Sequence, residues 1–170
     1  MGDQAALVAD IKAGKCVGVV LGAVDLSGCD LSGVDLTGAR LSGANLRGTN
    51  LAGATLRETM FDGADLREAN LSGADLEFAV LGAADVSGAN LDGANLKRSN
   101  LVGTKGHGAI LTNTELYYSR PGCADFEGAD FSGADVTRAI FRRTNLKNAN
   151  LTNTNGQANF DRANLEGAQQ

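Results

Sequence analysis

A unit of five residues recurs along almost the whole chain, and a fixed internal period constrains the architecture more than any local propensity does. The repeat is clearest over residues 63–96, which read GADLREANLSGADLEFAVLGAADVSGANLDGANL. Each unit has the form Ala-Asp/Asn-Leu-X-Gly. A period of five fits neither an α-helix nor a long strand of alternating side chains, so the chain is predicted to turn once in every unit.

The unit from Ala69 to Gly73 shows how such a chain buries its apolar side chains. In an extended segment alternate side chains share a face, so Ala69 and Leu71 point one way and Asn70 points the other. Ser72 and Gly73 form the corner, where glycine accepts backbone angles that other residues resist. Successive coils are expected to stack through backbone hydrogen bonds around a core of leucines and small residues.

The same repeat resembles that of the pentapeptide-repeat proteins, and the resemblance covers nearly all of the chain. The central apolar residue keeps its register from Leu21 to Leu151, interrupted at Gly106 and Pro121, and then slips by one residue to Phe160. The resemblance implies an all-β fold, namely a right-handed quadrilateral (four-sided) β-helix solenoid with about four units, or about twenty residues, in each coil.

Residues 1–14 precede the repeat and are predicted to form a short capping helix. Asp3 suits the N-cap position and Gly14 suits the C-terminal stop. Leu7 and Ile11 lie on one face of this helix. Because a solenoid must keep its terminal core residues away from water, we expect the helix to cover the open N-terminal end of the core.

Residues 15–170 are predicted to form one repeat domain, because no linker or change of composition interrupts the repeat. Gly106 and Pro121 stand where the central leucine should be, and proline also removes a backbone donor from the ladder. We therefore expect an irregular coil at 103–123 within this domain.

The sequence contains few histidine or cysteine residues that could act in catalysis or bind a metal. The single histidine, His107, has no metal-ligating residue flanking it in the sequence, and one histidine argues against a Ser-His-Asp constellation. The cysteines Cys16, Cys29 and Cys123 show no paired spacing, which favours reduced thiols in a cytoplasmic compartment. No apolar run is long enough for a signal peptide or a membrane span. We predict a cytoplasmic protein that is not an enzyme and has no metal or other cofactor.

One edge of the predicted coil lacks acidic residues and combines large apolar side chains with arginine. In steps of twenty residues, a corner position is occupied by Phe78, Arg98, Tyr118 and Arg138, and we expect Arg98 to stack between the rings of Phe78 and Tyr118. Such cation–π contacts contribute roughly 0.5–1 kcal/mol at exposed sites, and interface centres favour these residue types. We call this predicted protein-interaction surface the aromatic–arginine edge; it comprises Met60, Phe78, Val80, Arg98, Tyr117, Tyr118, Arg120 and Ile140.

Carboxylates recur at the outward position of the unit and are expected to form two acidic columns. By resemblance, such columns suit a DNA mimic, because pentapeptide-repeat proteins that protect DNA gyrase and topoisomerase IV from quinolones are thought to imitate duplex DNA. Interleaved basic residues argue against this role, and Asp and Asn are also common beside turns for purely structural reasons. The columns comprise Asp25, Asp65, Asp85 and Asp125, and Asp35, Asp75 and Asp135.

Two functions stay open. The favoured one is a non-enzymatic protein–protein interaction or scaffold module. Its partner is another protein or a second copy of the chain, joined through the uncapped C-terminal coil or the aromatic–arginine edge. The alternative, by resemblance, is a DNA-mimicking modulator of type II topoisomerase that protects or inhibits DNA gyrase. A net charge of −5 disfavours direct binding to nucleic acid.

Overall fold

The computed structural model describes residues 2–170, and the side chains of residues 4–170. Its one helix, α1 (Gly2–Lys12), is followed by a β-helix whose coils are joined by isolated parallel bridges. Each five-residue unit contributes one bridging residue and a tight turn in place of a longer strand. Within the described residues, no helix has both the length and the apolar character that a membrane span requires.

The coils stack with a regular spacing of twenty residues. Asp65 bridges to Asp85, and the next bridge along the coil joins Asn70 to Asn90. The N–H of Leu66 donates to the carbonyl of Asp85 at 2.7 Å, and the N–H of Asp85 donates back to Ala64 at 2.9 Å. The predicted stacking of successive coils through backbone hydrogen bonds is therefore confirmed.

The core is a column of central apolar residues flanked by small ones. The central position is buried in every coil from Leu26 to Leu151. Most buried hydroxyls within this column bond to the backbone, and Thr49 Oγ1, for example, donates to the carbonyl of Leu26 at 2.8 Å. Among the described side chains, Ser119 Oγ is the one buried polar atom without a partner. The hydroxyls that donate to carbonyls belong to Thr49, Thr59, Ser99, Thr104, Thr114 and Thr144.

Helix α1 ends in a Schellman motif at the predicted stop. Gly14 has a left-handed φ of 72°, and its N–H donates to the carbonyl of Ile11 at 2.9 Å. The N–H of Lys15 donates to the carbonyl of Asp10 at 3.0 Å, which completes the paired bonds of this motif. The side chains of Lys15 and Asp10 also form an ion pair at 2.8 Å.

The predicted apolar face of α1 meets the core. Ile11 is buried, and Leu7 packs against the same cluster. Lys12 Nζ lies 3.2 Å from Asp30 Oδ2, which ties the end of α1 to the first coils. Asp3 falls inside α1 because the helix begins one residue earlier, and the side chain of this predicted N-cap lies outside the described residues.

The segment 103–123 is regular, so the prediction of an irregular coil is wrong. Its turns and bridging positions follow the same pattern as those of the neighbouring coils, except that Arg120 has no bridge to Ile140. Gly106 is accommodated because the Phe126 ring of the next coil occupies the space that a side chain on Gly106 would need. Pro121 removes one donor, yet Leu101 of the preceding coil and Cys123 of the same corner keep their ladder bonds.

The predicted slip of one residue is present near the C-terminus. Asp135 bridges to Asn155, twenty residues on, whereas Ile140 bridges to Asn159, nineteen residues on. Gly156 makes the adjustment with a φ of 85°, at a place where a Cβ atom would overlap the side chain of Thr137. The shorter coil therefore depends on a glycine at this position.

Candidate protein-interaction site

The aromatic–arginine edge follows a corner at which glycine is replaced in five successive coils. Most other corners carry glycine, as at Gly33, Gly53, Gly73 and Gly93 of a different corner column. A left-handed φ costs a residue with a Cβ roughly 1–2 kcal/mol. At this corner the edge therefore carries residues with side chains, although glycine would adopt the same backbone angles without strain. The residues of this corner and their φ angles are Glu58 (59°), Phe78 (60°), Arg98 (58°), Tyr118 (55°) and Arg138 (59°).

Arginine and aromatic side chains pair along this corner. The Arg98 guanidinium lies over the Phe78 ring, with its Cζ 5.4 Å from the ring centroid. Arg138 lies over Tyr118 in the same way at 5.2 Å and also donates to the phenol oxygen. The Tyr117 ring meets the Tyr118 ring edge to face, with centroids 4.6 Å apart.

The expected stack of Arg98 between two rings is therefore corrected. Both guanidinium groups lean toward the preceding coil, so Arg98 covers Phe78 while Tyr118 is covered by Arg138. The step of twenty residues placed Arg138 in this corner column, but the predicted interaction surface did not include it. The structure adds Arg138 to that surface through its contact with Tyr118.

The outward column beside this corner completes a groove. Met60, Val80, Asn100 and Arg120 are joined in sequence by parallel bridges. Ile140 follows Arg120 one coil on and is 39% exposed. The groove consists of two depressions that share Arg120 and Ile140. The first, of about 650 Å³, is lined by Phe78, Arg98, Asn100, Tyr118, Arg120 and Ile140, and the second, of about 220 Å³, by Val102, Arg120, Gly122, Cys123, Ile140, Arg142 and Arg143.

Five of the eight predicted edge residues therefore line the groove, and the structure brings them together. Met60 and Val80 extend the outward column beyond it and are half-buried, whereas Tyr117 supports the Tyr118 ring. Sequence reasoning missed Val102 and Arg143, which belong to the corner on the other side of the outward column. Their signal was the same spacing of twenty residues, read at two adjacent positions, because Val102 leads to Gly122 and Arg142, whereas Cys123 leads to Arg143.

Four arginines along the edge and its groove have no carboxylate partner among residues 4–170. Arg98, Arg120, Arg138 and Arg143 form no ion pair with any described side chain, whereas Arg142 lies 3.2 Å from Asp161. Of the other lysine and arginine side chains in the described part of the chain, all except Arg40 and Lys105 have a carboxylate within 4.0 Å. The edge is therefore locally basic in a chain of net charge −5.

The predicted acidic columns do align. Bridges join Asp65 to Asp85, and a separate column runs from Asp75 through Asn95 to Glu115. The columns are mixed, because Lys105 stands between acidic residues and several positions carry Asn or Thr. All seven predicted acidic residues belong to these two columns, namely Asp25, Asp65, Asp85 and Asp125, and Asp35, Asp75 and Asp135.

The carboxylates of these columns mainly shape the turns. Asp85 Oδ1 accepts the N–H of Ser87, two residues on, at 3.0 Å. Asp35 accepts both the N–H and the hydroxyl of Thr37, and these bonds hold the pKa of Asp35 below its ordinary value. Asp and Asn side chains commonly form such hydrogen bonds to nearby backbone groups at turns.

Several of these carboxylates also have a basic partner. Arg67 Nε lies 2.8 Å from Asp65 Oδ1, and this hydrogen bond lowers the pKa of the Asp65 carboxyl. Arg57 lies 3.2 Å from Asp75 and also pairs with Glu77. The negative field along the columns is therefore interrupted.

His107 has neighbours that its sequence context does not show. Its Nε2 lies 3.0 Å from Asp125 Oδ2, and the donor atoms of His107, Asp125 and Glu127 lie within 4.8 Å of one another. No metal-ligating residue flanks His107 in the sequence, but the stacking of coils places two carboxylates of the next coil beside it. The cluster is open to solvent, since half of the His107 side chain is exposed.

The three cysteines are free thiols in different environments. Cys16 is buried, Cys29 is half-buried and Cys123 is exposed. Burial raises the pKa of the Cys16 and Cys29 thiols. Cys123 lies in the wall of the second depression and is therefore the thiol that a reagent in the groove reaches first.

Solved structures of several other proteins are similar to this chain. QnrB1, a plasmid-mediated fluoroquinolone resistance protein, is 21% identical, with 91% of this chain and 85% of that chain covered and a TM-score of 0.43. A protein from the Arabidopsis thaliana thylakoid lumen is 31% identical over 75% of this chain and 71% of that one, with a TM-score of 0.36. HetL, involved in heterocyst differentiation regulation in Nostoc sp. strain PCC 7120, is 27% identical over 96% and 92%, with a TM-score of 0.29.

The family itself is identified by the repeat. No curated protein matches the sequence. A family model described as pentapeptide repeats matches in eight copies, over residues 15–51, 49–88, 89–120 and 123–155. These matches cover most of the β-helix, and the chain belongs to the pentapeptide-repeat family.

Proposed function

We propose that this chain is a non-enzymatic protein-interaction or scaffold module that presents the aromatic–arginine edge to a protein partner. The observation that carries the proposal is the corner column in which Phe78, Arg98, Tyr118 and Arg138 keep left-handed backbone angles. Strained backbone of this kind clusters at functional sites. Aromatic and arginine side chains are also the residues that interface centres favour.

The proposal includes a right-handed quadrilateral β-helix as the scaffold. A coil of twenty residues with a bridge every five residues supports four bridging columns, and so four sides. In this arrangement residues 1–14 cap the N-terminal end, and residues 15–170 act as one domain. The three free thiols support a cytoplasmic location, because a reducing compartment maintains thiols.

The partner is another protein or a second copy of the chain. For a second copy, the C-terminal coil offers an additional surface, since Leu151, Phe160 and Leu165 line a depression of about 260 Å³ there. The basic edge and the mostly acidic columns on other sides also provide complementary charge.

The test replaces Phe78 and Tyr118 together with glycine. Glycine relieves roughly 1–2 kcal/mol of backbone strain at each position, whereas each lost cation–π pair costs about 0.5–1 kcal/mol. Thermal unfolding is therefore expected to show no loss of stability. Quantitative affinity capture from extracts of the source organism should lose those proteins that bind through the edge.

Glu58→Gly is the matched control, because Glu58 occupies the same corner at the same angle but does not line the groove. It should retain every protein that the unaltered chain captures. A double Phe78→Gly/Tyr118→Gly variant that captures the same proteins as Glu58→Gly would contradict the proposed edge.

The alternative is a DNA-mimicking modulator of type II topoisomerase. The alignment of carboxylates in two columns supports it, while the pairing of Asp65 with Arg67 and the position of Lys105 oppose it. The test is a gyrase supercoiling assay with increasing amounts of the protein, with and without a quinolone. We expect no effect; inhibition or protection that disappears when Asp65, Asp75, Asp85 and Asp135 are changed to asparagine would establish the alternative instead.

A further inference from the structure

The groove combines exposed apolar side chains with arginines, and this combination indicates which kind of partner binds there. Resting on the interaction role proposed above, we infer that the partner presents an extended acidic segment. One apolar side chain of that segment enters the second depression, between Val102 and Ile140, and its carboxylates bind Arg120 and Arg143.

The second depression suits an apolar side chain. Val102 and Ile140 are 46% and 39% exposed and line the same depression, so together they present an apolar surface to solvent. Gly122 also lines the depression, and because it has no side chain it leaves the space there open. A cavity of about 150 Å³ holds a benzene-sized group. The volume of about 220 Å³ is therefore sufficient for one leucine, isoleucine or phenylalanine side chain.

Two of the three arginines around this apolar surface have no carboxylate of their own within the described structure, while the third, Arg142, pairs with Asp161. Arg120 belongs to both depressions and Arg143 to the second, and neither pairs with a described carboxylate. Guanidinium groups bind carboxylates through two parallel hydrogen bonds, which gives both strength and direction. An apolar anchor flanked by carboxylates therefore matches the pattern of the groove.

The first depression extends the same pattern. Arg98 lines this depression, and Arg138 lies next to it over the ring of Tyr118. Both guanidinium groups are held over aromatic rings, so less side-chain freedom is lost when they bind a ligand. A guanidinium that stacks on a ring keeps its N–H groups available at its edge. From Phe78 to Arg138 the corner spans three coil spacings of about 4.8 Å, which an extended segment of about five residues covers.

A polypeptide fits this groove better than a nucleic acid does. The other sides of the rod carry carboxylates, and the net charge of −5 repels a polyanion as dense as nucleic acid. The groove also exposes aliphatic side chains, which a phosphate backbone does not bury. An acidic polypeptide of modest charge uses both features.

The test measures fluorescence anisotropy with labelled peptides about eight residues long, each with one leucine, isoleucine or phenylalanine flanked by aspartate and glutamate at varied spacing. We expect at least one spacing to bind, and added salt to weaken it. Replacing the apolar residue of that peptide with serine, or its acidic residues with asparagine and glutamine, should weaken binding by about tenfold or more.

Protein variants locate the site. Ile140→Ser, and Arg120→Gln combined with Arg143→Gln, should each weaken peptide binding by about tenfold or more. Arg40→Gln is the matched control, because Arg40 lies in the same outward column, has no described carboxylate partner and does not line the groove. Bound peptide should also slow alkylation of Cys123 and leave the rate at Cys29 unchanged.

Four results would overturn this inference: no peptide of the series binds, Arg40→Gln weakens binding as much as the groove variants do, single-stranded oligonucleotides bind the groove more tightly than peptides, or the chain self-associates through the groove. If peptides fail while protein capture still depends on Phe78 and Tyr118, the interaction role stands and only the acidic partner is wrong. If both fail, the edge is not an interaction site.

Discussion

At the scale of single residues, two serines one coil apart separate the cost of burying a hydroxyl from the benefit of its hydrogen bond. Ser99 Oγ donates to the carbonyl of Leu96 at 2.7 Å, whereas Ser119 Oγ is buried without a partner. Ser99→Ala should lower the free energy of unfolding by about 1 kcal/mol. Ser119→Ala should leave it unchanged or raise it by up to about 1 kcal/mol. Chemical denaturation measures both, and equal losses would show that Ser119 has a partner in solution.

The residue scale also shows what the sequence could predict. Burial at the central position follows from the register, because Leu66 and its equivalents are the large apolar residues that recur every five positions. The backbone at Phe78 and Arg138 was not predictable in the same way, since a left-handed φ is expected only where glycine or asparagine stands. The neighbouring coils hold these corners, and a single unit does not contain that information.

At the scale of elements, the junction between α1 and the first coils should respond to acid. The hydroxyl and N–H of Ser32, together with Lys12, lower the pKa of Asp30 from 3.8 to about 2. A carboxyl whose pKa is lower in the folded state stabilises that state above its ordinary pKa. This contribution is lost as the pH falls from about 4 toward about 2.

The measurement is an NMR titration of the Asp30 carboxyl. Ser32→Ala should raise the pKa of Asp30 toward its ordinary value, because it removes the largest cause of the shift. Thr37→Ala is the matched control, since Thr37 makes the same bonds to Asp35 in the next unit. It should raise the pKa of Asp35 and leave that of Asp30 where it is.

The turn at Gly156 is a second element whose sequence requirement is testable. Gly156→Ala should cost more than the roughly 1–2 kcal/mol that a left-handed φ alone imposes, because the new Cβ overlaps Thr137. Gly53→Ala has a similar left-handed φ with open space around it and should cost only the backbone part. Thermal unfolding of the two variants compares them directly, and equal losses would mean that the last coils shift to make room.

At the scale of the whole molecule, each coil contacts only the coils next to it, so stability should grow with the number of coils. Deleting residues 42–61 removes one complete coil and keeps every remaining column in register. The shortened chain should fold, lose stability roughly in proportion to one of about seven coils, and keep the groove intact. Circular dichroism and peptide binding measure these outcomes, and a disordered chain would show that the coils depend on more distant parts.

The contacts that the sequence did not predict all join residues of adjacent coils. His107 with Asp125, Tyr118 with Arg138, and Phe126 with Gly106 are pairs that meet across coils. They are separated by eighteen to twenty residues, so they appear unrelated in the sequence until the length of a coil is known. The repeat predicts the columns, but the contacts within a column depend on which side chain leans toward which coil.

Nearly identical units raise the problem of alignment during folding, because one coil can stack on its neighbour in several shifted ways. A shift of one unit keeps leucine over leucine and costs little in the core. The Phe126 ring, however, fills the space that a side chain at Gly106 would occupy. A shift of one unit would leave that space empty and set the ring against a leucine, so this irregularity of the repeat favours the native alignment over its shifted copies.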